Sequence, residues 1–433
     1  MKGNLINLNS FVISYNKIRL IILVLLVASL PFYLKISNVL IGLAATLSLF
    51  NIITQKRWHA LRVNKLSLLI IGYFFLEVLG LFYTEQQNLK IGIFTLDKHQ
   101  SFILLPIIFL DFNVSPSARK SILLSFVVSC FIASLICIGV NLHESITLYD
   151  QVFHEWLFSH DRVSEPIGMH AVYFALYLSF CILILLDMLK EKYETLSRMQ
   201  IFFVALLLVY FLVVIVALGA RTVMVGLMLT ILINLILYGR QMRSKNMYIL
   251  AALVPFVFAV FVILNPVVKT RFMDMLKDNY DSSNYGSYFA RTHIWIPGIE
   301  AIRENVLFGV GTGDHQSELN KKFLEHKYTE GVRLEFNMHN QYLQTALNLG
   351  LIGLSLLLSI FYIQVKEGLN RQDFLYLSFL LLFMLACITE AMLVVNKGTL
   401  FFIVFSYIFL NSKIREELPN VESSGPIRQT AVG

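Results

Sequence analysis

Long apolar runs separated by short polar or basic connections make up most of this chain. The runs fall at 18–34, 36–53, 66–83, 101–112, 121–142, 171–189, 201–218, 221–238, 247–264, 340–362, 374–395 and 398–411. An α-helix needs about 20 apolar residues to cross a bilayer, and most of these runs approach that length. The pattern therefore predicts an all-α polytopic membrane protein with about 12 transmembrane helices. The run at 101–112 is short, and an amphipathic lead-in starting near Ile91 would complete it.

Two connections are longer than the rest. Residues 143–170 hold His143, His154, His160 and His170, and their 153–158 stretch is rich in aromatics, which suits the membrane–water interface. The 265–338 connection is too long for a plain linker and predicts a partly helical outer loop with its own fold. Helices are expected there at 289–305 and 314–326, with Asp314 as an N-cap and Pro297 kinking the first helix or resetting its start. The resulting division is helices one to nine at 1–264, the loop subdomain at 265–339, the last three helices at 340–412, and a polar, disordered cytoplasmic tail at 413–433. No internal repeat and no matched pair of broken helices is visible, although a repeat-built transporter would favour them.

Composition sharpens this picture. The 433 residues are 57% hydrophobic and 15% charged, whereas a soluble domain carries about a quarter charged residues, so a soluble enzyme is excluded. The formal charge of +7 would suit nucleic acid, but its distribution is a topology signal. With the N-terminus in the cytoplasm, Lys56, Arg57, Arg62, Lys65, Arg119, Lys120, Lys190, Arg198, Arg240, Arg243, Lys366 and Arg371 all fall on the inner side. Both termini are then inside, and no nucleic-acid partner is expected. The first apolar run lacks a small-x-small exit and should stay as a helix rather than be cleaved. Cys130, Cys137, Cys181 and Cys387 lie inside apolar runs and read as small buried hydrophobes.

Candidate chemistry gathers late in the chain. Arg221 stands in Leu218-Gly-Ala-Arg-Thr222, which joins two apolar runs with almost no loop. An arginine at that boundary either snorkels at a helix end or serves a ligand, and Gly219 and Ala220 leave room for one. Arg291 opens Arg-Thr-His-Ile-Trp295, and a guanidinium grips phosphate bidentately, although a lone loop arginine usually makes a surface ion pair. Gly309-x-Gly311-x-Gly313 suits a phosphate-cradling turn or tight packing of the loop on the membrane helices. His339-Asn340 lies where the chain re-enters the membrane, and an imidazole there can accept a hydroxyl proton. Glu390 sits in an apolar run and needs a partner, with Arg221, His339 and Lys397 all left open by the sequence. Lys98 is a further phosphate contact or an interface lysine. The histidines at 143–170 fit no zinc spacing and read as solvent-exposed. No Asp-x-Asp motif is present, so a metal-independent site built on arginines and a histidine is expected, with no cofactor.

At these residues the chain resembles the O-antigen ligase and polymerase family of bacterial envelope glycosyltransferases. The resemblance rests on Gly219-Ala-Arg221-Thr, Arg291-x-x-x-Trp295, Phe308-Gly309-x-Gly311-x-Gly313, His339-Asn340-x-Tyr342-Leu343 with Gly350-x-x-Gly353, and Thr389-Glu390. Family members often carry a proline just before the Phe-Gly-x-Gly turn, where Val306 stands here, and Pro297 is an unusual addition. The first half of the chain matches in hydropathy alone.

The resemblance implies a GT-C-like enzyme of the bacterial inner membrane with a periplasmic active site. It also implies an undecaprenyl-pyrophosphate-linked glycan as donor and a sugar hydroxyl as acceptor, on lipid A-core for a ligase or on another repeat unit for a polymerase. Arg221 and Arg291 would bind pyrophosphate, His339 would act as base, and Asn340, Glu390, Trp295, Tyr342 and Lys98 would support them. Transfer would be inverting and metal-independent, with membrane lipids around the site. A ligase is the first reading, followed by a polymerase and a protein O-oligosaccharyltransferase. A lipid-linked glycan transporter is the reading from a different class; it predicts functional charges near mid-membrane, whereas these charges cluster at one boundary.

Overall fold

The computed structural model of the chain describes residues 2–54, 64–110, 112–152, 154–192, 195–238 and 288–412. The predicted span at 247–264, the first part of the long connection at 265–287 and the tail at 413–433 lie outside the described residues. So do Phe153, Lys56, Arg57, Arg62, Arg240 and Arg243.

The described elements are helical. In order they are α1 (Lys2–Ser29), α2 (Leu34–Thr54), α3 (Lys65–Leu81), α4 (Leu89–Lys98), α5 (Ser101–Phe109), α6 (Pro116–Tyr149), α7 (Asp161–Ser164), α8 (Ala171–Lys192), α9 (Arg198–Leu218) and α10 (Arg221–Tyr238). Then come α11 (Tyr288–Glu304), α12 (His315–Glu325), α13 (Thr329–Arg333), α14 (Gln341–Arg371), α15 (Phe374–Thr389) and α16 (Asn396–Leu410). Among the described residues, 6 helical stretches are long and apolar enough to cross a membrane: Leu34–Thr54, Gln86–Phe109, Pro116–Tyr149, Ala171–Lys190, Arg198–Leu218 and Gln341–Arg371. α10, α15 and α16 are apolar but shorter. The chain is an integral membrane protein. The stretch at Gln86–Phe109 contains the amphipathic lead-in expected near Ile91.

α8 is the central helix. It packs against α6, α9, α10 and α15, and 78% of its apolar window is buried. Phe126, Phe180, Phe379, Phe401 and Phe405 interlock around it, with Phe180 and Phe405 4.9 Å apart and edge-on. Aromatic pairs prefer this geometry because ring edges carry positive charge and faces negative. The outermost helices turn apolar side chains outward instead, such as Phe202, Phe203 and Leu206 of α9. In water those faces would demand a partner, and in lipid they need none.

The two ends of the bundle are built differently. At one end Arg119 grips Asp373 bidentately at 2.5 and 2.8 Å, while Asp373 also accepts the Tyr376 amide and so caps α15. At the other end the chain is irregular. α14 breaks at Gly350, whose φ of 64° and ψ of −163° interrupt the helix. The segment 306–311 fills the break: Val310 and Gly311 amides donate to the Leu347 and Asn348 carbonyls, and the Leu351 amide donates to the Val306 carbonyl. Non-helical backbone at such depth needs protein partners for every polar group, and here neighbouring backbone supplies them. A side chain at Gly350 would lie 2.2 Å from the Leu307 carbonyl oxygen, so glycine is required there twice over.

Residues 288–338 carry a small core of their own, with Ile294, Ala301, Leu319, Phe323 and Met338 packed on Leu347 of α14. Two local expectations change. Asp314 does not cap α12 with its side chain; its carboxylate accepts the Glu85 amide and the Asn88 side-chain amide, tying this segment to the α3–α4 link. α11 runs through Pro297 to Glu304 without a new start.

Candidate functional site

The predicted span at 374–395 stops early, and the stop makes the site. Glu390 is extended, with φ of −148° and ψ of 146°, and residues 390–395 turn before α16 begins. Side chains replace the helical bonds in this turn. The Leu393 amide donates to Gln341 Oε1 at 2.7 Å, and the Leu393 carbonyl accepts from His99 Nε2 at 2.6 Å and from Thr399 Oγ1 at 2.9 Å.

The turn faces the start of α14. His339 Nδ1 lies 3.2 Å from Glu390 Oε2, with the two side chains 32% and 14% exposed. Among the described residues no partner is seen for the other ring nitrogen, Nε2. His339 is held from both sides. Its φ is 43°, its amide donates to Asn337 Oδ1, and its ring stands edge-on to Phe336. Before it, the Met338 carbonyl accepts from Trp295 Nε1 at 2.9 Å and the Met338 amide donates to Gln344. After it, Asn340 Oδ1 accepts the Tyr342 and Leu343 amides and caps α14. The Tyr342 hydroxyl donates to the Met384 carbonyl and anchors α15 nearly two turns before Glu390.

Of the alternatives for Glu390, His339 is in contact with it. Lys397 is committed elsewhere, donating to the Phe32 carbonyl at 2.6 Å and to that of Pro31. Burial pushes the Glu390 carboxyl up, but the His339 hydrogen bond and charge, His170 and the Ala391 amide together pull it below the ordinary carboxylate value. It is therefore an anion at neutral pH, next to a histidine it can orient.

Arg291 joins this pair. Its guanidinium donates to the Thr389 carbonyl at 3.4 Å, and burial lowers its pKa while the Glu390 charge opposes that. Arg221 is placed by helix register. α10 and α15 run antiparallel, with Gly226 against Leu385 and Asn234 Nδ2 donating to Ser378 at 2.8 Å. Stepping from Gly226 back to the first residue of α10, and from Leu385 on to the end of α15, brings Arg221 level with Glu390. Arg221 is half-buried there.

The 143–170 connection also reaches this end. The His160 amide donates to the Ala217 carbonyl, and its ring lies against Gly219. His170 lies within electrostatic reach of Glu390. His143 and His170 are exposed as expected, whereas His160 is packed on the turn that presents Arg221. Among the described residues, no group of three or more His, Cys, Asp or Glu side chains is placed to hold a metal ion.

The glycine run serves packing. A side chain at Gly309 would meet the Asn348 backbone at 2.5 Å, and one at Gly313 would meet the Asn88 carbonyl at 2.6 Å. Lys98 lies with its ammonium 4.5 Å over the Phe94 ring, and no contact links it to the His339–Glu390 pair among the described residues.

Sequence reasoning missed a second acid–histidine pair. His99 Nδ1 lies 2.8 Å from both carboxylate oxygens of Glu77, and both side chains are buried. The available signal was Glu77 alone in an apolar run and His99 at the end of the amphipathic lead-in. Gln341, which holds the 390–395 turn, was visible merely as a neighbour of His339.

A protein-family model described as O-antigen ligase matches residues 203–358, a stretch that contains Arg221, Arg291, the glycine run and His339. The family resemblance read from those residues is borne out by this match. No curated protein matches the chain.

Proposed function

From a chain that carries the O-antigen ligase family over residues 203–358, we propose an enzyme that transfers a glycan from undecaprenyl pyrophosphate to a sugar hydroxyl of lipid A-core at the periplasmic face. The observation that carries this reading is the His339–Glu390 pair at 3.2 Å, with Arg291 against the same turn and no partner for the imidazole's second nitrogen among the described residues.

Glu390 accepts a hydrogen bond from His339 Nδ1–H, which fixes the tautomer with its lone pair on Nε2. That nitrogen takes the proton of the acceptor hydroxyl as it attacks the anomeric carbon. The bond to the pyrophosphate oxygen breaks on the opposite face, so configuration inverts. Negative charge grows on the departing pyrophosphate, and Arg291 and Arg221 neutralise it where water is partly excluded. The lipid tail lies among the helices, and residues 288–338 cover the sugar side. Trp295, Asn340 and Tyr342 hold His339 and the end of α15 in place through the bonds described above.

Reconstitution tests this directly. Purified protein in liposomes receives lipid-linked glycan and lipid A-core, and the products are resolved by mass. Glycan appearing on lipid A-core supports the proposal. Lengthening of the lipid-linked glycan with bare lipid A-core would assign a polymerase instead, and no transfer to either acceptor would overturn the reading.

A further inference from the structure

The reaction above does not use the Glu77–His99 pair. Both His99 nitrogens are engaged, Nδ1 with Glu77 at 2.8 Å and Nε2 with the Leu393 carbonyl at 2.6 Å. A carbonyl oxygen can only accept, so Nε2 carries a proton and donates to Leu393, while Nδ1 and Glu77 share the next proton between them. Both side chains are about 5% exposed or less, and Phe102 stacks on the imidazole with ring centroids 4.9 Å apart. A buried polar pair is a costly way to join helices that already pack through Tyr73 and Phe102.

What the pair holds is the 390–395 turn. Leu393 is fixed from two sides, by His99 through its carbonyl and by Gln341 through its amide. Gln341 is two residues from His339, so one support of the turn shares a helix start with the proposed base. The other support is His99. Behind it, the Glu77 carbonyl accepts from Thr312 Oγ1 at 2.6 Å, which ties the pair to the segment that fills the break in α14.

We infer that His99 is a positioning residue for glycan transfer: held by Glu77, it fixes the 390–395 turn and with it the placement of Glu390 against His339. This role rests on the proposed reaction. Without the His99 donor, the Leu393 carbonyl keeps Thr399 within its own turn, and the turn loses its tie to α3 and α5. Misplacing a catalytic pair by about 1 Å costs on the order of 100-fold in rate.

The test compares wild type, His99→Leu, Glu390→Gln and the double variant in the liposome assay, with rates normalised to folded protein. His99→Leu, which has no donor for the Leu393 carbonyl, should lower kcat by about 10- to 100-fold with the donor KM unchanged. The double variant should be no slower than Glu390→Gln alone, because both changes disable the same pair. Wild-type kcat in His99→Leu, or losses that multiply in the double variant, would overturn the positioning role. Full activity in Glu390→Gln would instead remove the reading of the site itself. Should His99→Leu fail to fold, Glu77→Leu combined with His99→Leu leaves no unpartnered carboxyl behind. That variant should show the same kcat loss, and a wild-type kcat in it would equally overturn the proposal.

Discussion

Two of the histidine–carboxylate pairs among the described residues meet the 390–395 turn, with similar chemistry and opposite settings. In Glu77–His99 both ring nitrogens and both carboxylate oxygens are engaged at 2.8 Å or less, and the side chains are 5% and 4% exposed. In His339–Glu390 one nitrogen is engaged at 3.2 Å, and the histidine is 32% exposed. A saturated imidazole has no lone pair to offer and acts as a fastener. An imidazole held by one nitrogen and open at the other can exchange a proton. Residue type does not distinguish the two pairs; the number of satisfied nitrogens and access to solvent do.

His339→Ala puts that contrast to its hardest test. Loss of a general base should lower kcat by about 10²- to 10⁴-fold in protein that still folds. Full transfer activity in this variant would remove the distinction between the pairs. His99→Leu should do the reverse first. It strands the buried Glu77 carboxyl without its partner, at a cost of about 1–3 kcal/mol, so thermal unfolding in detergent should move down by several degrees. An unchanged melt would mean the pair is not a fastener.

Acidification separates the pairs more gently. The Glu390 carboxyl is depressed in the folded protein, so its stabilising contribution is complete above the ordinary carboxylate value of 4.5 and is lost as pH falls through the lower folded value. The melting temperature of wild type should therefore approach that of Glu390→Gln only below pH 4.5. Convergence of the two curves near neutral pH would contradict a carboxylate held by His339. The smallest effect is expected from Lys98→Met. With its ammonium over Phe94 and no contact to the pair, it should leave kcat within about twofold. A loss as deep as that of His339→Ala would place Lys98 in the site after all.

Much of this was legible in the chain. Apolar run length located the helices, because crossing a bilayer demands continuous apolar sequence whatever the neighbours are. The boundary position of Arg221 and the His339-Asn340 dipeptide marked one end of the bundle for the same reason, since polar groups there are costly unless used. Helices in the loop were placed to within a residue or two at 288–304 and 315–325. What failed was everything depending on who sits opposite. Asp314 looked like a cap and became a tie to α3, because the Glu85 amide and Asn88 lie closer than its own helix start. The glycine run left cradle and packing undecided until the Asn348 and Asn88 backbones appeared beside it.

Hydropathy alone thus determined a membrane protein built of helices, and chemical type marked the residues proposed to act on a phosphate or a hydroxyl. The partner of Glu390, the break of α14 at Gly350, the early end of α15 and the pairing of Glu77 with His99 were decided by tertiary structure. Each depends on groups far apart in sequence meeting in a contact, as the His99 donor and the Leu393 carbonyl do across 294 positions. Local propensity carries no information about such a contact, because it depends on which backbone groups the packed helices bring within reach.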